Sequence, residues 1–463
     1  MADRSIHFNI SERKVLLRVF DILFVLLVLY GVGNTFDFDY FTITKENWTW
    51  VLVLGIYISI FGTVFELYDL QKASKMESVV PNIVLTGSVT VLIYLLTPIL
   101  TPFLPDNRLQ ILYFYFSILF ALMLWRFLYV TFIVSPRFYK NVLVVGEVSN
   151  IETILKALYD ADPNYNVIGF INCETGQKDG LKFLGVPEYQ PNDIHGLVGE
   201  YRIKEIVIAT YNSETITSEI YRILIGLLET GFPIKEYTQV FEEMTQRVPV
   251  QFVGKDFYKY FPFSRSNQNK LYLFFRRLID LLIATIGLVV GLVVVPIIVL
   301  GNLFGNRGPL FYVQERVGKN GEVFRMIKYR TMVKNAEANG ALWATKNDSR
   351  VTPFGKFLRN TRLDEFPQFL NILKGDMSLI GPRPERPHFV RELSQVLPFY
   401  ETRHIIKPGL TGWAQVKTRY GSSIDDSLLK LQYDLYYIKH RSFFLDVNIM
   451  VKTLSTVIFF RGQ

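Results

Sequence analysis

Hydrophobic positions in this chain fall into three textures. The first is a set of long, mainly apolar runs, roughly Val15–Val32, Trp48–Leu67, Val79–Leu100 and Gln110–Val134. Each is near the ~20 residues that span ~30 Å of hydrocarbon, so residues 1–140 are expected to form a four-span bundle. From Asn141 the apolar runs shorten. NVLVVG, NVIGFIN, EIVIAT and PIKEYT read as strands, with helices at Ile151–Tyr159 and Thr217–Thr230. That alternation predicts a parallel sheet with helices on its faces over residues 141–262. The third texture opens with a long apolar run, Leu271–Phe304, and continues as mixed α/β sequence to the end, a domain over 263–463.

Charge at the flanks gives orientation. Arg13, Lys14 and Arg18 lie at the start of the first run, Lys72 and Lys75 follow the second, and Arg137 and Lys140 follow the fourth, whereas the first loop is acidic. Both ends of the bundle are therefore expected on the cytoplasmic side. Asp21, Glu66, Asp69 and Arg126 lie near span ends, where snorkelling to the interface is the expected behaviour. Arg276 and Arg277 precede the apolar core of the Leu271–Phe304 run, and Arg307, Arg316 and Lys319 follow it. Positive charge at both ends fits a segment that enters and leaves on one side, a re-entrant helix over about 276–304. Pro296 offers the breakpoint, and Leu281–Val295 before it is about 22 Å of helix, one leaflet deep. An ordinary spanning helix is the competing reading. The last run, Phe443–Phe460, is interrupted by Asp446 and Lys452 and reads as an interfacial amphipathic helix.

Composition narrows the partners. Of 463 residues 50% are hydrophobic, and the net charge is +8 with a pI of about 9.2. With so much apolar sequence, that basic excess points to a lipid bilayer and phosphorylated substrates, not nucleic acid. The single Cys173 excludes an intramolecular disulfide. The first apolar run is long and has no small-residue cleavage site, so no cleaved signal is expected. A dinucleotide site in the middle domain would need G-x-G-x-x-G after its first strand; the turn is GEVSNI, with Gly146 alone, so a structural or regulatory role is expected.

The candidate chemistry is concentrated in Arg359–Glu385, RNTRLDEFPQFLNILKGDMSLIGPRPE. If Pro367 occupies a first helical turn, the helix begins near Asp364–Phe366 and runs to Gly375. Asp364 and Glu365 then sit at its N-terminus, which attracts anions. Arg359, Arg362 and Arg383 add guanidinium donors for phosphate. Carboxylates suit Mg²⁺ bound jointly with substrate phosphates, and a carboxylate can also act as nucleophile. The plainer alternative is a capping aspartate beside a surface ion pair. Lys328 and Arg330, alternating on a strand, would share one face. His388 and His404 are candidate acid–base groups, Trp413 a candidate base-stacking residue, and the polar stretch Asn335–Ser349 a loop able to close over substrate.

These pieces resemble the bacterial sugar transferases, monotopic phosphoglycosyl transferases. The resemblance runs in order through FFRRLIDLL, FRMIKYRTM, LDEFPQFLNILKGDMSLIGPRPE, KPGLTGWAQV, YDLYYIKH and LDVNIM. It implies a multi-domain membrane protein: a four-helix transmembrane bundle, a Rossmann-like α/β middle domain, and a C-terminal α/β catalytic domain with a re-entrant membrane helix and interfacial helices. It implies transfer of a hexose-1-phosphate from a UDP-sugar to a polyprenyl (undecaprenyl) phosphate at the bacterial cytoplasmic membrane, an early step of glycan assembly. Asp364 and Glu365 would be catalytic and hold Mg²⁺, with an aspartyl-phosphosugar intermediate and UMP as leaving group. Lys328, Arg330, Arg359, Arg362, Arg383, Glu385, Arg403 and Arg419 would bind substrate, and Pro296 would kink the membrane helix. A homodimer is compatible with this reading. Three other readings stand beside it: a non-catalytic scaffold of a glycan assembly complex, a lipid-linked sugar transporter, and a metal-dependent glycosyltransferase releasing UDP. The hexose and the polymer are not readable from the sequence.

Overall fold

The computed structural model describes residues 10–458, apart from 37, 75, 134–138, 163–164, 174–181, 184, 211–214, 253–268, 307, 335, 337–347, 419–420 and 422. They fall into two compact units, Met1–Thr245 and Gln246–Gln463.

The first unit begins with helices α1 (Ile10–Phe36), α2 (Trp48–Val64), a single turn α3 (Leu70–Ala73), α4 (Met76–Leu95) and α5 (Leu109–Leu128). By length and composition, α1, α4 and α5 can cross a membrane; α2 is a shorter apolar helix of 17 residues. α1 packs on α5, and α4 on both α2 and α5. Asp21 and Arg126 do not snorkel. They meet each other inside the bundle at 2.8 Å, both fully buried. Hydrocarbon offers no water to either group, so mutual pairing is the cheaper arrangement once helices bring them together. Glu66 pairs with Lys72.

A six-stranded sheet follows, in the order β3-β4-β2-β1-β5-β6. Its strands are β1 (Lys140–Gly146), β2 (Tyr165–Asn172), β3 (Lys182–Phe183), β4 (Val186–Tyr189), β5 (Glu205–Ala209) and β6 (Ile234–Glu236). All neighbouring pairs are parallel except β3–β4. Central β1 is buried along most of its length, as strands covered on both faces must be. A Cβ at Gly146 would lie 2.7 Å from the Ala209 carbonyl on β5. Tight strand packing therefore accounts for this glycine without a bound phosphate.

In the second unit a 32-residue helix, Lys270–Gly301, leads into a π-turn at Asn302–Asn306. The helix is about 48 Å long and contains Pro296 within its helical span. Both ends are tied to the domain that follows. Near the start, Arg276 donates to the Ile380 carbonyl and to Ser378 Oγ, and Arg277 donates to the carbonyls of Ile372 and Leu373. Asp280 accepts from Ser378 Oγ and Leu379 N–H. Near the end, Asn306 donates to the Arg330 carbonyl. Between them Gly287 leaves room for the Phe369 ring, and Gly291 for Phe366. The opposite face is apolar and exposed, including Phe274, Leu278, Leu282, Ile286, Val289 and Val293.

The rest of the unit supplies a hairpin, β7 (Phe311–Val317) with β8 (Val323–Tyr329), turning at Lys319–Gly321 as the GKNG sequence indicates. A short parallel pair, β9 (Ser378–Ile380) with β10 (Gly409–Thr411), lies in its centre. Helices Ile424–His440 and Phe443–Ile458 close the core around Trp413, Leu435 and Ile449. On the last helix Asp446 is buried, accepting from Tyr272 and Tyr437, while Phe443 and Phe444 are exposed.

Candidate active site

The acidic pair does not begin the helix. Leu363–Glu365 form a separate 3-10 turn, and Pro367 is the N-cap of a seven-residue helix, Gln368–Lys374, ended by left-handed Gly375. Proline tolerates this place because no helical N–H is needed there. The turn is entered through Arg362, whose backbone is left-handed at φ 59°. Phe366 and Phe369, set edge to face, seat the turn on the long apolar helix at Gly291 and Gly287.

The two carboxylates have opposite surroundings. Glu365 Oε1 is 3.0 Å from Arg383 Nη2, 3.5 Å from Lys328 Nζ and 3.6 Å from Arg362 Nη1. Burial alone would raise its pKa; the three cations outweigh that and hold it well below the usual carboxylate range. Asp364 is buried and its Oδ1 accepts no hydrogen bond among the described residues. Burial, reinforced by the neighbouring Glu365 charge, pushes its carboxyl up to about 6 despite Lys328, Arg359 and Arg362. Burial also lowers the Lys328 ammonium, against the pull of Glu365. A low-dielectric site divides two adjacent acids in this way when one has partners and the other does not.

Of the predicted site residues, Lys328, Arg362 and Arg383 converge on Glu365. Arg359 sits close enough to act on Asp364 electrostatically and donates from Nε to Thr331 Oγ1 at 3.0 Å. Arg330 does not share the Lys328 face. β8 ends at Tyr329, and the Arg330 guanidinium turns back to the Asn306 carbonyl, tying down the end of the long helix. Glu385 is paired with Arg316 at 3.4 Å. Arg403 is buried, where it contacts Tyr400, Asp434 and the Arg383 carbonyl. Trp413 is 1% exposed and cannot stack on a base. His388 is a surface partner of Glu392. His404 is half-buried, and burial beside Arg403 lowers it to about 4, so it is neutral near pH 7. Arg419, Tyr420, Arg307, Arg137 and most of Asn335–Ser349, Trp343 included, lie outside the described residues.

Asn371 has no place in the sequence reading, and Arg316 enters it only as a charge flanking the long apolar run. Asn371 accepts from Ile327 N–H and donates to the Arg325 carbonyl, clipping β8 to the helix after the dyad. Its signal was a polar residue inside the apolar series Phe369–Leu373. Arg316 gave no such signal.

The donor set suits a hard divalent cation. Asp364 Oδ1 is a buried, unpartnered acceptor, and Glu365 stays ionised. Among the described residues no group of three or more His, Cys, Asp or Glu gathers to form a complete metal cage. Mg²⁺ takes one or two carboxylates and completes its shell with phosphate oxygens and water, so Asp364 and Glu365 are of a type that could hold it.

A carboxylate pair among cations, seated on an apolar helix, offers the donors with which proteins bind phosphate groups. The chain belongs to the bacterial sugar transferase family, whose family model, "Bacterial sugar transferase", matches residues 271–460. It is 37% identical over 282 residues to the UDP-N-acetylgalactosamine-undecaprenyl-phosphate N-acetylgalactosaminephosphotransferase of Aeromonas hydrophila, covering 58% of this chain and 65% of that protein. It is 45% identical over 141 residues to a putative undecaprenyl-phosphate N-acetylgalactosaminyl 1-phosphate transferase of Bacillus subtilis (strain 168), covering 30% and 79%. Against the UDP-glucose:undecaprenyl-phosphate glucose-1-phosphate transferase of Xanthomonas campestris pv. campestris, identity is 42% over 164 residues, covering 35% and 34%.

Proposed function

We propose that this protein transfers a hexose-1-phosphate from a UDP-sugar to a polyprenyl phosphate in the membrane. The observation that carries the proposal is the seating of the Asp364–Glu365 turn on the long apolar helix through Phe366 and Phe369. One substrate is aqueous; the other keeps its phosphate at the bilayer surface. A dyad mounted on the lipid-facing helix can reach both.

In this reading Asp364 Oδ1 attacks the sugar-bearing phosphorus. An Asp364 O–P bond forms, the P–O bond to the nucleotide phosphate breaks, and UMP leaves with that electron pair. A polyprenyl phosphate oxygen then attacks the same phosphorus and expels Asp364, giving polyprenyl diphosphate sugar. The orphaned Oδ1 is free for this role, and its raised pKa keeps it basic while still ionised near pH 7. Lys328, Arg359, Arg362 and Arg383 place positive charge where the phosphoryl group develops negative charge. Glu365 holds three of those cations in register. Asp364 and Glu365 are the residues that would hold Mg²⁺, which when bound supplies neutralisation of the diphosphate.

The long helix fits a re-entrant placement, because its first and last turns are bound to the same domain. Its positively charged flanks, and those of the bundle, favour the cytoplasmic face of the bacterial inner membrane for the catalytic and middle domains.

The test is incubation of membranes containing the protein with Mg²⁺, polyprenyl phosphate and a panel of UDP-sugars that includes UDP-N-acetylgalactosamine and UDP-glucose. UMP release by wild type, abolished in Asp364→Ala, is expected. UDP as the nucleotide product would instead mean direct glycosyl transfer. Full polymer synthesis in cells carrying Asp364→Asn would mean a scaffold.

A further inference from the structure

The segment Gly381–Glu385 carries Arg383, the cation nearest Glu365. Pro382 and Pro384 have no N–H, and beyond the Gly381 N–H, which donates to the Thr411 carbonyl, the carbonyls hold the segment in place. Four consecutive ones are caught. Pro382 O accepts from Gly409 N–H at 2.9 Å and Arg383 O from Arg403 Nη2 at 3.0 Å. Pro384 O accepts from Arg316 Nη1 at 3.0 Å and Glu385 O from Val317 N–H at 2.9 Å. Only the catch on Arg383 itself rests on a buried ion pair. Arg403 Nη2 also donates to Asp434 Oδ2 at 2.7 Å, and Nη1 donates to the Tyr400 hydroxyl at 2.6 Å. Arg403 and Asp434 are 6% and 2% exposed.

A buried ion pair is a poor way to stabilise a core, since apolar side chains of the same volume often do as well or better. What an arginine adds is a rigid fork that can hold two acceptors at a fixed separation. Here the fork joins helix Ile424–His440, through Asp434, to the backbone of Arg383. We propose that Asp434, acting through Arg403, is a positioning residue that sets where the Arg383 guanidinium meets Glu365 and the transferred phosphate. Tyr400 supports the same fork from its other nitrogen. The proposal rests on the sugar-phosphate transfer reading above.

The experiment is a double-mutant cycle on the full-length protein in lipid nanodiscs, scoring UMP release with kcat and KM resolved for the UDP-sugar. Asp434→Ala and Arg383→Ala are each expected to lower kcat by about 10²-fold, as for loss of one preorganised transition-state donor. The double variant should lie within about threefold of Arg383→Ala, because residues acting through one another are not additive. Asp434→Glu should recover about tenfold of the lost kcat, since the charge returns. Losses that multiply in the double variant overturn the proposal, as does an unchanged kcat in Asp434→Ala. If Asp434→Ala does not fold, as its melting profile will show, Tyr400→Phe replaces it. That variant removes one acceptor, and a several-fold loss is expected in wild type and none in the Arg383→Ala background. A wild type that releases no UMP from any sugar refutes the transfer reading, and the positioning role with it. An active wild type with multiplicative losses refutes the positioning role alone.

Discussion

Asp364 and Glu365 are neighbours in the chain but titrate in opposite directions. Glu365 shares one oxygen among Arg383, Lys328 and Arg362, whereas Asp364 Oδ1 is buried and has no hydrogen-bond partner among the described residues. The same turn therefore holds one permanent anion and one carboxylate poised near neutrality.

Activity should fall on the acid side with an apparent pKa of about 6, because Asp364 must be ionised to attack and its carboxyl lies near that value. Lys328→Met removes a cation that lowers it, so the acid limb should move to higher pH. Glu365→Gln removes a like charge, so in the residual activity the limb should move lower. Profiles of kcat/KM against pH for the three proteins check both signs.

Asp364→Asn should make the protein more stable at pH 8 by about 1–3 kcal/mol. A carboxyl whose pKa rises on folding, here from 3.8 to about 6, favours the fold while protonated and opposes it once ionised. The contribution is fully favourable below pH 4 and is lost as pH rises through 6. The gain from Asn should therefore vanish near pH 4, which denaturant melts at the two pH values would show.

Arg330→Ala should destabilise the fold by about 1–3 kcal/mol, since it leaves the buried Asn306 carbonyl without its donor. Its KM for the UDP-sugar should stay within about twofold of wild type. Lys328→Met should do the reverse, lowering kcat with a small change in melting temperature. A large KM effect in Arg330→Ala would return that residue to the site.

Gly287→Leu should cost about 1–3 kcal/mol by forcing the Phe369 ring away from the long helix. Because Phe369 helps seat the dyad turn, kcat should fall as well. Phe369→Ala in the same chain should restore part of the stability, a rescue read from melting temperature.

Much of this architecture is legible in the sequence because its signals are local. The strands around Val142–Val145 and Ile206–Ile208 were visible as short apolar runs, and each bundle helix as a long one. The dyad and three of its cations were legible too. What failed were the residues whose role depends on where a chain turns. Arg330 follows Lys328 by two, but the strand stops at Tyr329, so alternation no longer decides its face. Pro367 marked a helix start correctly to within a turn, yet the separate 3-10 turn before it was set by the left-handed Arg362, which no residue preference announces. Asp21 and Arg126 each looked like an interfacial charge, since a partner 105 positions away in the chain is not a local signal. Trp413 looks like a binding group by type, and it is enclosed by helices that only the folded chain brings together.

The long helix is bound to one domain through both its first turns and its last, with Arg276, Arg277 and Asp280 at one end and Asn306 at the other. Its exposed apolar side cannot be tucked away by a hinge at one end or removed with the N-terminal bundle. A more soluble version of this domain will have to be made by repainting that side with polar residues, and trimming the chain will not produce one.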